Sequence, residues 1–188
     1  MEDVMEVMKF KTGRTRLPKL GIRVTLKPNQ YFKNYGPVED MRQFRENLCE
    51  IFDTNYDPDY KDEEVLGMQL YLTTDTGYEL SIIYCDQNTE DETFILGHEA
   101  THTICALGLE HKLVEALKKE GLDFDPFEFY DDEEDIANVG GIFASYLEYK
   151  RYAEDFSDLM DLRYFTMAHM EKDDIAVEEG LFDDYLIP

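Results

Sequence analysis

Five consecutive residues carry the clearest chemical potential of this sequence: His98-Glu99-Ala100-Thr101-His102, which fits the pattern H-E-x-x-H. In an α-helix, positions i and i+4 point the same way about 6 Å apart along the axis. Two imidazoles at this spacing can bind one Zn²⁺ with Zn–N distances of about 2.0–2.1 Å. The carboxylate of Glu99 would then lie beside the metal, where it can accept a proton from an attacking water. The spacing therefore predicts a zinc site with His98 and His102 as ligands and Glu99 as the catalytic base.

The flanking sequence predicts that these residues lie on a buried helix. Residues 89–92 have the S/T-x-x-E form of a capping box, and a mostly apolar run leads from there into His98. The chain stays mostly apolar from residue 103 until Gly108, which is expected to end the helix at the C′ position. Buried imidazoles and carboxylates need partners, so the alternative to a metal site is a cluster that is satisfied for structural reasons.

A mononuclear catalytic zinc needs a third protein ligand, and residues 131–144 are the candidate segment. Acidic residues at its start suit a helix N-terminus. Glu134 is the preferred ligand because Asn138, four positions on, can share its face and orient a ligating histidine through the free ring N–H. Glu133 is the alternative ligand, and a solvated helix start is the alternative for the whole acidic cluster. Small residues would let this helix approach another closely: Ala137, Gly140, Gly141 and Ala144.

The order of these elements resembles a known family. A strand hairpin, a helix with His98-Glu99-x-x-His102 and a later helix with Glu134-x-x-Ala137-Asn138 look like the minigluzincin zinc metallopeptidases, most of all the ImmA/IrrE type. The resemblance covers roughly residues 64–148. It implies a compact α+β domain, zinc bound by His98, His102 and Glu134, Glu99 as base, and hydrolysis of a peptide bond in an intracellular protein such as a regulator or repressor.

The resemblance also implies where a substrate binds. In gluzincins the peptide usually pairs with a sheet edge that precedes the metal helix, which makes one strand of the hairpin 66–85 the expected dock. A further hydrogen-bond donor usually stabilises the oxyanion, and Tyr130 and His169 are the two candidates for that role.

The remaining patterns predict the elements that position the site. We expect one domain over residues 1–188, with a small antiparallel sheet whose hairpin 66–85 packs on the H-E-x-x-H helix. The predicted elements are a strand at 21–26, a helix near 37–52 with Pro37 in its first turn, strands at 66–73 and 78–85, a short helix from 109 to 121, and a loop at 123–130.

Charge divides the chain into two parts. The net charge is −25, yet residues 1–35 hold eight Lys or Arg against three Asp or Glu. The basic segment is expected to lie against the acidic remainder of its own chain. Such an acidic surface disfavours direct nucleic-acid binding and attracts basic proteins or peptides. The alternative function is therefore a non-catalytic acidic binding protein, of the DNA-mimic or decoy type, that keeps a metalloprotease fold.

Targeting signals and cysteines give the remaining expectations. No apolar run approaches the ~20 residues of a transmembrane helix, and the start lacks the basic flank of a signal peptide, so we expect a cytoplasmic protein without a membrane partner. The cysteines are odd in number and form no close pair, so they predict neither a disulfide framework nor a C-x-x-C zinc site. Cys105 shares the face of His102 and is expected to be a core thiol.

Overall fold

The computed structural model describes residues 8–53 and 65–171, which fold as a mixed α+β structure. The strands are β1 (Arg14–Arg16), β2 (Arg23–Thr25), β3 (Gln30–Val38), β4 (Gly67–Thr73) and β5 (Glu79–Asp86). The helices are α1 (Met41–Phe52), α2 (Glu92–Ala106), α3 (Glu110–Lys119), α4 (Pro126–Phe129), α5 (Glu133–Tyr149) and α6 (Phe156–Met170), with a 3₁₀ turn at Lys150–Tyr152. None of the helices in the described ranges is long and apolar enough to cross a membrane.

The main sheet has three strands in the order β3-β5-β4. The antiparallel hairpin of β4 and β5 confirms the predicted strands at 66–73 and 78–85. The expectation of an all-antiparallel sheet is wrong, because β3 pairs parallel to β5 on the other side. The central strand β5 is therefore buried on both faces: Leu80, Ile82 and Tyr84 pack towards α1, and Ile83 and Cys85 belong to the core that includes α2 and α5.

The first helix begins later than predicted, because Pro37 lies in β3. The pairing of β3 with β5 shifts register between Asn34 and Pro37, and this irregularity accommodates a residue that has no N–H for the ladder. Helix α1 starts after Asp40, whose side chain accepts a hydrogen bond from the backbone N–H of Gln43 at 2.8 Å.

The basic N-terminal segment is built into the fold by apolar side chains. Strand β2 lies within the predicted strand at 21–26 and pairs with β1 in a separate two-stranded ribbon. The side chains that this segment buries in the main core are Leu17, Leu20, Ile22, Val24, Leu26 and Phe32. Lys19 lies 3.5 Å from the carboxylate of Glu92, so the segment does contact the acidic part of the chain.

Helix α2 carries the H-E-x-x-H residues and ends as predicted. Gly108 has φ +67°, and the N–H groups of Gly108 and Leu109 bond back to the carbonyls of Cys105 and Ile104 in a Schellman arrangement. The predicted capping box at 89–92 is wrong. Asp91 is the N-cap instead, and its carboxylate accepts from the N–H of Phe94 at 2.9 Å.

The next two segments differ in how well they follow prediction. Helix α3 confirms the helix expected at 109–121. It ends shortly before Gly121, which has φ +79°. The expected loop at 123–130 contains the short helix α4, which begins at Pro126 and has Asp125 as its N-cap.

Helix α5 packs against α2 at a distance that only small residues allow. A Cβ atom added to Gly140 would lie 1.8 Å from Thr101 Oγ1, and one added to Gly97 would lie 2.4 Å from Ala144 Cβ. A Cβ atom on Gly141 would lie 2.7 Å from the ring of Phe94. The predicted close approach of the two helices is therefore confirmed.

This contact predicts the outcome of replacing Gly140 by alanine. Alanine is favoured over glycine within a helix by about 1 kcal/mol, yet the overlap with Thr101 should reverse the sign and lower the free energy of unfolding by about 1–3 kcal/mol. Urea unfolding of both proteins measures the change. The variant Gly140→Ala with Thr101→Ala lacks the hydroxyl in the way and should recover part of the loss. A single variant as stable as the parent would contradict this packing.

Candidate metal centre

Three predicted residues meet at the contact of α2 with α5. His98 and His102 lie one turn apart on α2, and Glu134 is the second residue of α5. The Nε2 atoms of the two histidines are 3.2 Å apart. Glu134 Oε2 lies 3.4 Å from Nε2 of His98, and Glu134 Oε1 lies 3.5 Å from Nε2 of His102. The ligand atoms of these three side chains all lie within 4.8 Å of one another, as a shared metal requires.

The far side of each imidazole is held by a hydrogen-bond acceptor. His98 Nδ1 lies 3.0 Å from the side-chain oxygen of Asn138, in the geometry that the sequence predicts for that residue. His102 Nδ1 lies 2.8 Å from Oε1 of Glu133. Glu133, the alternative third ligand, therefore contacts Nδ1 of His102 on the side of the ring away from Glu134. In the neutral tautomer that donates Nδ1–H to these two acceptors, each Nε2 presents a lone pair.

In that tautomer the centre of the cluster contains acceptors alone. Two Nε2 lone pairs and the carboxylate of Glu134 face one another, and such a group repels itself unless a cation lies between its members. Four ligands arranged tetrahedrally about 2.0–2.1 Å from a zinc ion lie about 3.3 Å from one another. The observed separations of 3.2, 3.4 and 3.5 Å match that spacing. The residues therefore fit a metal ion in both chemistry and size.

The members of the cluster differ in solvent exposure and in charge. The histidine side chains are 15% and 14% exposed, whereas that of Glu134 is 70% exposed, so the site has a buried floor and one open side. While His98 carries a proton on Nε2, its hydrogen bond holds the pKa of the Glu134 carboxyl below its usual range despite partial burial, with smaller contributions from His102. Loss of that proton leaves the Nε2 lone pairs and the ionised carboxylate as the three ligand atoms that a metal ion requires.

Glu99 lies next to the cluster without belonging to it. Its side chain lines the same cleft, is nearly completely buried and accepts a hydrogen bond from the backbone N–H of Gln69. Burial raises the pKa of Glu99 to about 8, and the nearby charge of Glu134 adds to the rise. A carboxyl group that holds and releases its proton near neutral pH has the property that a general base needs.

The cluster opens into a cleft of 860 Å³ between the edge strand β4 and the start of α5. The cleft has an apolar wall, formed by Val65, Leu66, Met68, Phe94 and Ile95, and an acidic wall, formed by Asp132, Glu133 and Glu134. The backbone bonds Asp86 N–H to Leu66 O and Thr74 N–H to Tyr78 O fix which residues of β4 pair with β5. By the alternation of an antiparallel ladder, Gly67 and Gln69 direct their backbone groups away from β5.

A series of buried side-chain hydrogen bonds, which no sequence pattern indicated, connects helix α2 to the sheet. The side-chain amide of Gln69 donates to Ser81 Oγ at 3.0 Å, and that oxygen lies 2.8 Å from Thr103 Oγ1. Thr103 in turn donates to the carbonyl of Glu99 at 3.4 Å. The three side chains come from separate elements, so only the folded chain brings them together. They fix the turn of α2 that carries Glu99 against the hairpin.

Three other candidates lie outside the cleft. The hydroxyl of Tyr130 donates to the carbonyl of Met170 at 2.6 Å, and His169 Nδ1 bonds the carbonyl of Phe165 at 2.9 Å. Neither lines the cleft, so the expectation that one of them stabilises an oxyanion is not supported by the geometry. Cys105 packs against the core, as expected, and burial raises the pKa of its thiol to about 12.

The contact of Asn138 with His98 leads to a prediction. Asn138→Ala should weaken metal binding about 10–100-fold, because the imidazole loses the acceptor that fixes its tautomer and direction. Competition with a chromophoric chelator measures the affinity. Asn138→Asp is the matched control, since it keeps an acceptor oxygen at the same place and should bind zinc at least as tightly as the parent. Equal affinities for the alanine variant and the parent would show that this contact does not orient the ring.

Comparison of the chain with known protein families, curated proteins and solved structures finds no match. The site itself therefore indicates the function. A cluster of three metal-ligand side chains, an adjacent buried carboxyl group and an open cleft occur together at one place on the described chain.

Proposed function

We propose that this protein is a zinc-dependent metallopeptidase of the minigluzincin type that hydrolyses a peptide bond in a cytoplasmic protein, such as a regulator or repressor. The observation that carries the proposal is the triangle of acceptors formed by His98, His102 and Glu134, with Glu99 beside it in an open cleft. The resemblance of the sequence to that family agrees with this assignment.

The ligand set favours zinc among the common metals. Two imidazoles and one carboxylate are a usual set for catalytic zinc, whereas magnesium and calcium prefer oxygen ligands alone. Non-haem iron enzymes also use two histidines and one carboxylate, so the metal analysis described below includes iron. In this proposal His98, His102 and Glu134 hold the metal.

The chain's own residues would divide the chemistry as follows. A bound zinc ion supplies a Lewis acid and lowers the pKa of water. Glu99 accepts a proton from the attacking water and passes it to the leaving amine. Asn138 and Glu133 keep the imidazoles in the tautomer that presents Nε2.

The cleft supports an extended peptide as substrate. On the edge strand β4, Gly67 directs its N–H and C=O away from β5 and Gln69 directs its C=O away, so a peptide strand can pair with these groups. The N–H of Gln69 is already bonded to Glu99. The acidic wall and the net charge of −25 favour peptides that carry basic residues.

A peptide-cleavage experiment tests the proposal. The purified protein is incubated with a library of peptides from cytoplasmic proteins, and the products are identified by mass spectrometry. We expect discrete cuts that a zinc chelator abolishes and added zinc restores. A zinc-loaded protein that cuts no peptide in the library would contradict the peptidase assignment and favour the non-catalytic acidic binding protein.

A further inference from the structure

Two consecutive carboxylates at the start of α5 approach the same imidazole from opposite sides. Glu134 faces Nε2 of His102 at 3.5 Å, and Glu133 meets Nδ1 of that ring at 2.8 Å. The N-cap Asp132 fixes this turn, because its carboxylate accepts from the N–H of Glu134 at 2.8 Å. Neighbouring helical residues are about 100° apart around the axis, so consecutive side chains diverge enough to reach both sides of a ring.

The two histidines consequently have unequal partners. His98 donates its Nδ1–H to a neutral amide oxygen, whereas His102 donates to a carboxylate. Hydrogen bonds to a charged acceptor are roughly twice as strong as neutral ones. A carboxylate behind a ligating imidazole also raises the basicity of the other ring nitrogen. The two imidazoles should therefore differ in how strongly they bind a metal ion.

We propose that Glu133 is a positioning residue whose carboxylate orients His102 and makes it the stronger of the two imidazole ligands. The inference rests on the proposed function, since it presupposes a metal held by His98, His102 and Glu134. It replaces the alternative in which Glu133 is itself a ligand. Its contact is with the ring and not with the metal position, so its removal should weaken the site without eliminating it.

Three substitutions separate orientation from charge. Glu133→Ala removes both and should weaken zinc binding about 10–100-fold. Glu133→Gln keeps an acceptor oxygen without the charge, so it should fall between the alanine variant and the parent. Asp135→Ala is the matched control, because it removes a charge from the same helix turn at a side chain outside the cleft. Because Asp135 does not line the cleft, its loss should change the affinity less than about threefold.

A predicted gain of zinc affinity provides an independent test. Asn138→Asp would give His98 the carboxylate partner that His102 already has. If a charged partner strengthens an imidazole ligand, this variant should bind zinc several-fold more tightly than the parent in the same chelator competition. Unchanged or weaker binding would count against the role assigned to charge.

The tautomer of His102 supplies a readout that does not need the metal. Nitrogen-15 NMR of the metal-free protein should show His102 protonated at Nδ1 in the parent, in Glu133→Gln and in Asp135→Ala. In Glu133→Ala the proton should redistribute between the two ring nitrogens. A protein that has merely become less stable would not change in this way.

The outcomes distinguish this inference from the proposed function. A parent protein that binds no zinc would refute the metal site, while the NMR experiment would still test the contact of Glu133 with His102. If the parent binds zinc and Glu133→Ala matches Asp135→Ala in affinity, the inference is overturned. An affinity of Glu133→Gln equal to that of the parent would overturn the part assigned to charge.

Discussion

Replacing Glu134 by alanine is expected to cause the largest loss of zinc binding of any single carboxylate substitution in the chain. The change removes one of three ligands and leaves two Nε2 lone pairs 3.2 Å apart without the anionic arm of the site. The dissociation constant should rise by more than about 100-fold, above the range typical for residues that only orient a ligand. Elemental analysis after dialysis and competition with a chelator both measure the effect.

The matched control for this variant is Asp131→Ala. Asp131 is an exposed carboxylate three residues before Glu134 and does not line the cleft, so it changes the net charge equally. It should retain the zinc content of the parent. A Glu134→Ala protein that keeps stoichiometric zinc, with Glu133 or Cys105 taking its place, would refute the ligand assignment.

Glu99→Gln is expected to separate metal binding from hydrolysis. Glutamine has nearly the same shape and can still accept the N–H of Gln69, but it cannot take a proton from water. Loss of a general base typically lowers turnover about 10²–10⁴-fold, while zinc content should stay that of the parent. Cleavage rates on a peptide identified in the library experiment, measured beside elemental analysis, provide the test.

The fold of this variant should also be intact. Burial raises the pKa of Glu99 to about 8, so a neutral amide replaces a group that is mainly protonated at neutral pH without metal. Far-ultraviolet circular dichroism and thermal unfolding verify this point. Cleavage within about threefold of the parent rate would mean that Glu99 is not the base.

The elements nearest the site were predictable because their patterns are local. The i, i+4 spacing of His98 and His102 requires one helical face, and Gly108 ends that helix with a positive φ. The alternation of residues 78–85 defined β5, and the step from Glu134 to Asn138 placed both side chains towards α2. In each case the residues that determine the structure lie close together in the sequence.

The remaining features depend on contacts between distant segments. Strand β3 exists because Gln30–Val38 pairs with β5, and nothing local marks a segment with Gly36 and Pro37 as a strand. The role of Glu133 depends on where α5 begins, since a shift of one residue would exchange it with Glu134. The contact of Gln69 with Glu99 arises only when the hairpin of β4 and β5 packs on α2.

Metal analysis of the purified protein tests the central claim most directly. The protein is isolated without added chelator, exchanged into metal-free buffer, and assayed for zinc and iron by mass spectrometry, with His98→Ala as the reference for nonspecific metal. The proposed site predicts about one zinc per chain in the parent and much less in the variant. Folded parent protein that remains metal-free after prolonged exposure to excess zinc would contradict the claim.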